Sequence, residues 1–323
     1  MTSRHAPGRF SGLAPRPVER VLAGLSLDGS DERVLGAAGA ICAATGARLA
    51  IVHATEPIDG ALLLDTPGDL SANGHAELAS RVERWLPGRV ERTLEIRPGP
   101  AHRVIGEAAL RTSPDLILVG SSAHEGKLLG STAERVLRKA AVPVMVVRGR
   151  FAALPRRVVA PVDLSDLSLS GFHSGLAMAS RLAGGAELQV VSLFAVGFLD
   201  PLSTEMRERR WTLEEMTGRA RQRLDELVER HLPDVELSCE NRVVLGPARE
   251  SIVGAAKLEK ADLIVMSTHG YGGYERLVLG SVAATVVREA PCSVLLVPPE
   301  SVFCEEIAEA VLSQTAPAKT VGV

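Results

Sequence analysis

Short apolar runs alternate along this chain of 323 residues with longer segments of helical period. In the second half, the pattern predicts strands at 157–162, 188–194, 237–244, 262–267 and 293–297. It predicts helices at 168–182, 203–230, 248–259 and 281–289. Strands that alternate with helices in this way are typical of βαβ units, so we expect an α/β fold with a parallel sheet.

The chain also repeats itself. The segment 20–26, Arg-Val-Leu-Ala-Gly-Leu-Ser, recurs in pattern at 157–163, which is 137 residues later. Asp115 and the apolar run after it recur at Asp262, an offset of 147, and the pair 130–131 recurs at 280–281, an offset of 150. Offsets that grow along the chain indicate two copies of one domain, with insertions in the second copy.

The predicted domains are 18–150 and 155–298. Before them, a proline-rich lead over 1–17 is expected to be disordered, and after them 299–323 is expected to form a C-terminal helix and tail.

Composition narrows the function classes. A net charge of −3 does not favour nucleic-acid binding, which needs a concentrated excess of Lys and Arg. The chain has no apolar run of about 18 residues and no apolar stretch near its start, so neither a membrane partner nor export is expected. Its four cysteines lie far apart, as is usual for reduced thiols in the cytoplasm, where we expect the protein to be located.

Two segments of the second copy are candidate parts of a ligand site. In an open parallel sheet, ligands bind beyond the carboxyl ends of the strands, where the strand order reverses. The first predicted strand ends in Pro161-Val162-Asp163, whose carboxylate is suited to accept hydrogen bonds from ribose hydroxyls or, alternatively, to cap the strand end. The fourth strand leads into a glycine-rich loop that reaches a helix start at Gly280-Ser281. Backbone N–H groups and the positive helix end there suit a phosphate, and the Ser281 hydroxyl is expected to cap the helix or contact a phosphate oxygen.

This loop resembles the nucleotide loop of the universal stress protein family, in which Gly, two residues, Gly, nine residues and Gly precede Ser or Thr. Gly270 and Gly280-Ser281 are in register, whereas Ser267 occupies the position of the first glycine. The segments 244–247 and 286–291 are also similar to the family, and the resemblance spans nearly all of 18–298. It implies two Rossmann-like domains of the adenine nucleotide alpha hydrolase type, each a five-stranded parallel sheet of order 3-2-1-4-5 with helices on both faces.

The resemblance further implies that the ligand is ATP, with magnesium held largely by phosphate oxygens. By position, the adenosine contacts would be Pro161, Val162 and Asp163, the ribose and phosphate contacts Met266, Ser267 and Gly270, and the triphosphate contacts Gly280, Ser281 and Val282. His269 lies inside the loop and is either a phosphate contact or a structural loop residue.

The first copy lacks several of these features. Ser26 occupies the position of Asp163, Ala123 occupies that of Gly270, and the loop is three residues shorter. We therefore expect one nucleotide per chain. The first copy would then serve as a structural partner in an intramolecular pseudo-dimer, with 144–147 pairing with 294–297, and a homodimer is also open.

These expectations favour an ATP-binding regulatory protein of the stress response that acts on an unidentified protein partner. The alternatives are a nucleotide-free interaction scaffold and a slow ATPase. Between 267 and 282 the charged candidates for catalysis are Glu275 and Arg276, so binding is easier to support than turnover and no catalytic or metal-ligating residue is assigned.

Overall fold

A computed structural model describes residues 17–27, 29–55, 76, 78–86, 90–121, 131–149, 154–197, 212–268 and 279–298. The first repeat comprises β1 (Arg20–Leu25), α1 (Asp31–Thr45), β2 (Arg48–Thr55), α2 (78–85), β3 (Arg92–Pro98), α3 (Ala101–Thr112), β4 (Leu116–Gly120), α4 (Ser131–Lys139) and β5 (Val144–Val147). The second comprises β6 (Arg157–Pro161), α5 (Asp166–Leu182), β7 (Leu188–Val196), α6 (Leu213–His231), β8 (Leu237–Leu245), α7 (Ala248–Leu258), β9 (Leu263–Ser267), α8 (Ser281–Glu289) and β10 (Ser293–Val297).

The ten strands in the described residues form one sheet, in the order β3-β2-β1-β4-β5-β10-β9-β6-β7-β8. Strands within each repeat are parallel, and each half has the order 3-2-1-4-5, as predicted. The two last strands, β5 and β10, pair antiparallel, with Met145 opposite Leu295. The repeats are thus related by a local twofold axis through the seam, which is the pair β5 and β10. The expected pairing of 144–147 with 294–297 is therefore found.

Two aliphatic cores cover the two faces of the sheet. One contains buried side chains of α1, α2, α5 and α6, among them Leu35, Leu78, Phe172 and Leu224. The other contains buried side chains of α3, α4, α7 and α8. Because alternate residues of a strand point to opposite faces, nearly continuous Val, Leu and Ile runs are needed where both faces are covered. In the described part of the chain, no helix combines the length and the apolarity that crossing a membrane requires.

Arg148 joins the repeats at the seam. Its Nη1 atom donates to the carbonyl oxygens of Val287 at 2.7 Å and Arg288 at 2.9 Å, near the end of α8. The guanidinium therefore caps carbonyl groups at the negative end of a helix. Burial lowers the pKa of Arg148, and the positive charge of Arg33 lowers it further.

The repeats match in backbone detail as well. Leu27 and Leu164, which follow β1 and β6, both have the left-handed conformation, with φ of 60° and 63°. The Asp115 carboxylate accepts hydrogen bonds from two backbone N–H groups at the start of β1, and the Asp262 carboxylate does the same at the start of β6. These shared features support the residue correspondence derived from the sequence.

Two predicted helix starts are wrong. Ser165 is the N-cap of α5 and its Oγ accepts from the Ser168 N–H, so the helix begins at Asp166 rather than at 168. Thr212 is extended and forms a capping box with Glu215, so α6 begins at Leu213 and does not run continuously from 203. Residues 203–211 lie outside the described residues, as do residues 1–16 of the lead predicted over 1–17 and the predicted helix and tail over 299–323.

Candidate functional site

The hydrogen-bonded ladder between β6 and β9 ends early. Their ladder ends where Val159 lies opposite Ile264, although both strands are described to their last residue. The equivalent ladder of the first repeat, between β1 and β4, continues for two more residue pairs, to Gly24 opposite Val119. The ladder of the second repeat therefore ends two pairs earlier. The space beyond the carboxyl ends of β6 and β9, the crevice, lies where the strand order reverses, which is where open parallel sheets bind ligands.

Pro161 explains why the ladder between β6 and β9 ends early. It occupies the position of Gly24, and the next residue, Val162, donates its N–H to the carbonyl of Leu193 in β7 at 2.9 Å. Because alternate residues of a strand bond to opposite neighbours, position 161 faces β9. Proline has no N–H to donate there, so the ladder to β9 loses a bond at the crevice.

Asp163 follows directly and is half-buried at the end of β6. Its Oδ1 atom accepts from the Ser165 N–H at 3.0 Å and from the Ser165 hydroxyl at 2.6 Å, and its own N–H donates to Ser168 Oγ at 3.1 Å. These bonds hold the turn in which Leu164 has a positive φ. Asp163 therefore caps the strand end, and the same bonds fix a carboxylate at the crevice.

The described ends of the glycine-rich loop are held together. Thr268 donates its N–H to the Val297 carbonyl, and its own carbonyl accepts from the Gly280 N–H, both at 3.1 Å. An ideal Cβ atom on Gly280 would lie 3.4 Å from the Thr268 oxygen, so the two chains approach closely at this point. Residues 269–278, which include the predicted contacts His269 and Gly270, lie outside the described residues.

The start of α8 lies at the end of this loop. Gly280 is its N-cap and supplies no side-chain capping bond, while Ser281 is the first helical residue, with an exposed side chain. The expectation that the Ser281 hydroxyl caps the helix is therefore wrong, although its exposure still suits contact with a ligand. Val282 is half-buried and Met266 is buried, both in the core on one face of the sheet.

Ser267 is buried rather than exposed to the loop, with 7% of its surface accessible. It packs against Gly171 of α5, where an ideal Cβ atom would lie only 2.6 Å from the Ser267 Cβ. Sequence reasoning did not find Gly171, because a helical glycine carries no signal of what it faces.

The corresponding region of the first repeat is arranged differently. The Ser26 N–H donates to Oδ1 of Asp31 at 2.9 Å, and this carboxylate is only 1% exposed. Its Oδ2 atom forms an ion pair with Arg81 at 3.0 Å. The Ser26 hydroxyl lies 3.1 Å from that of Ser30. The carboxylate of this repeat thus points into the protein, while Ala123 and Gly130 lie outside the described residues.

Comparison with known proteins agrees with this architecture. The model of the universal stress protein family matches residues 17–148 and 155–298. Universal stress protein Rv2623 of Mycobacterium tuberculosis is 28% identical over 281 residues, covering 77% of this chain and 86% of its own. Universal stress protein MJ0531 of Methanocaldococcus jannaschii is 31% identical over 145 residues, covering 45% of this chain and 82% of its own.

Solved structures show the same fold. The protein PA1789 of Pseudomonas aeruginosa, of unknown function, superposes with a TM-score of 0.64 at 18% identity, over 91% of this chain and 98% of its own. A universal stress protein of Archaeoglobus fulgidus gives a TM-score of 0.59 at 18% identity, over 86% and 98%. With two successive family matches and the sheet order found in both halves, this chain belongs to the universal stress protein family and carries two copies of its domain.

Proposed function

We propose that the second repeat binds one adenine nucleotide, ATP with magnesium, in the crevice between β6 and β9. The observation that carries the proposal is the early end of the β6–β9 ladder beside a loop whose ends are joined by the 3.1 Å bond from Gly280 to Thr268. The strand order reverses here, and α8 begins here without a side-chain cap. Nucleotides with phosphates usually bind in this setting.

In this proposal the adenosine lies against the end of β6. Pro161 and Val162 supply apolar contact, and the Asp163 carboxylate accepts from the ribose hydroxyls. The phosphates lie between the loop and α8, beside Gly280, where the backbone N–H groups of Ser281 and Val282 carry the positive end of the helix dipole. Met266, Ser267, His269 and Gly270 complete the site, and magnesium is held mainly by phosphate oxygens, as this ion prefers.

The first repeat is proposed to bind no nucleotide. Its β1–β4 ladder continues for two more residue pairs, to Gly24 opposite Val119. Ser26 supplies a hydroxyl where Asp163 supplies a carboxylate, and the Asp31 carboxylate forms an ion pair with Arg81. The expected stoichiometry is therefore one nucleotide per chain.

The proposed role is regulatory and set in the cytoplasm, where ATP is available. Bound nucleotide changes the surface that the second repeat presents to a protein partner, since a ligand favours the conformation that binds it better. We propose binding without catalysis.

Equilibrium dialysis of the purified chain against ATP and magnesium tests this proposal. We expect one nucleotide per chain, and we expect Gly280→Val to abolish uptake, because the branched side chain would lie at the helix start where the phosphates are proposed to bind. Gly130→Val alters the matching sequence position of the first repeat and should leave uptake unchanged. No uptake by the wild type would contradict nucleotide binding and favour the scaffold hypothesis, and steady phosphate release lost in Gly280→Val would support the ATPase hypothesis.

A further inference from the structure

We infer that Gly171 is a positioning residue of the nucleotide site: it leaves the space that Ser267 fills and so sets where the loop leaves β9. Its effect on ATP rests on the proposed function, whereas its effect on packing does not.

The contact between Gly171 and Ser267 is too close for a second side chain. An ideal Cβ atom on Gly171 would lie 2.6 Å from the Ser267 Cβ and 3.1 Å from its Cα. Both atoms are fixed by the backbone of β9, so no rotamer change of Ser267 relieves the overlap. Position 171 must therefore be glycine for as long as position 267 carries a side chain in this place.

Gly175 extends this close approach along α5. An ideal Cβ atom there would lie 2.3 Å from Val265 Cγ1 and 3.3 Å from Val297 Cγ2. Residues four apart in a helix lie on one face, so the two glycines form a strip along which α5 packs closely against β9 and β10. The strip fixes the distance between the helix and the strand that leads into the loop.

At the matching crossing of the first repeat the glycine is on the strand, and its closest neighbour is Ser30. Gly120 occupies the position of Ser267, and Val34 occupies that of Gly171. An ideal Cβ atom on Gly120 would lie 2.5 Å from Ser30 Oγ and 3.4 Å from Val34 Cγ2. Each repeat thus has one glycine at this crossing, on the strand in the first repeat and on the helix in the second.

Gly171 acts on the loop through two residues. Ser267 is followed by Thr268, whose N–H is bonded to Val297 and whose carbonyl receives the Gly280 N–H. Displacing Ser267 therefore displaces the residue that holds the start of α8. Gly171 itself is buried in α5 and is not expected to touch the nucleotide.

A double-mutant cycle tests the inference, with Gly171→Ala, Ser267→Gly and the two combined. We expect Gly171→Ala to lower the urea midpoint and to weaken ATP binding at least tenfold, measured by calorimetric titration. Ser267→Gly supplies the ATP affinity and the urea midpoint against which the double variant is compared. The double variant should recover most of the loss in urea midpoint and in ATP affinity, because Ser267→Gly removes the Cβ atom that the new methyl group of Gly171→Ala would meet. Gly254→Ala on α7 is the matched control, since nothing lies within 4 Å of its Cβ position.

Each outcome decides the matter. Wild-type ATP binding in Gly171→Ala would overturn the inference, and so would a double variant that binds no better than Gly171→Ala. Rescue of the midpoint without rescue of ATP binding would leave a packing contact and refute the positioning role. If the wild type takes up no ATP, the proposed function fails together with the positioning role, and the midpoints alone then show whether the steric exchange is real.

Discussion

Pro161 has no backbone N–H to donate to β9 at the crevice. Replacing it in Pro161→Gly adds this donor, and the variant is expected to bind ATP more weakly. Glycine is the residue at the matching position of the first repeat, where the ladder continues. A restored ladder bond is worth about 0.5–1.5 kcal/mol, and it has to break when the nucleotide enters. The expected loss of affinity is therefore about 2- to 13-fold.

The stability of the free protein should change little. The gained bond stabilises the sheet, but glycine raises the conformational entropy of the unfolded chain, at a cost of about 0.4–1 kcal/mol. The two effects nearly cancel, so the free energy of unfolding should stay within about 0.5 kcal/mol of wild type. A loss of affinity without a loss of stability is thus the expected signature.

Calorimetric titration with ATP and magnesium measures the affinity, and urea unfolding without nucleotide measures the stability. Pro161→Ala restores the same N–H with a less flexible backbone and should weaken binding to a similar extent. Hydrogen exchange reports whether the new amide at 161 is protected. A protected amide with unchanged ATP affinity in both variants would refute the role given to the crevice, and an unprotected amide would refute the ladder argument itself.

Two further predictions concern the seam and the thiols. Arg148→Met should lower the free energy of unfolding by about 2 kcal/mol, because two carbonyl groups at the end of α8 lose a charged donor. The control Arg138→Ala breaks an exposed pair with Glu134 and should lower it by at most about 0.5 kcal/mol. Equal losses in urea unfolding would contradict the capping role. Cys304→Ser leaves three thiols, and burial raises the pKa of each of them. A thiol reagent at pH 8 should therefore react slowly with this variant until urea is added. Rapid reaction of the native protein would contradict this. Those pKa values are about 11 for Cys42, about 12 for Cys239 and about 12 for Cys292.

Much of the fold could be predicted because it depends on local pattern. Apolar runs such as 293–297 are strands within one or two residues of their predicted bounds, and the growing offsets located the second repeat. The start of α6 was missed because helical period continues upstream of it, yet Thr212 with Glu215 three residues later is a capping-box pattern visible in the sequence.

The site was less predictable because its shape depends on contacts between distant segments. Asp163 and Gly280 are candidates by position, and the structure places β6, which Asp163 follows, beside β9, whose next residue, Thr268, is bonded to Gly280. The sequence does not reveal that Pro161 faces β9 rather than β7, nor that Ser267 lies against Gly171. Both depend on the register of the sheet and on how closely a helix packs on it, which no local pattern specifies.

A crystal structure of the full chain grown with ATP and magnesium tests the central claim most directly. We predict one adenine nucleotide per chain, with its ribose beside Asp163 and its phosphates at Gly280 and Ser281, and none at the end of β1. Density for a nucleotide beside Ser26, or a crevice between β6 and β9 filled by the protein's own side chains, would contradict the account.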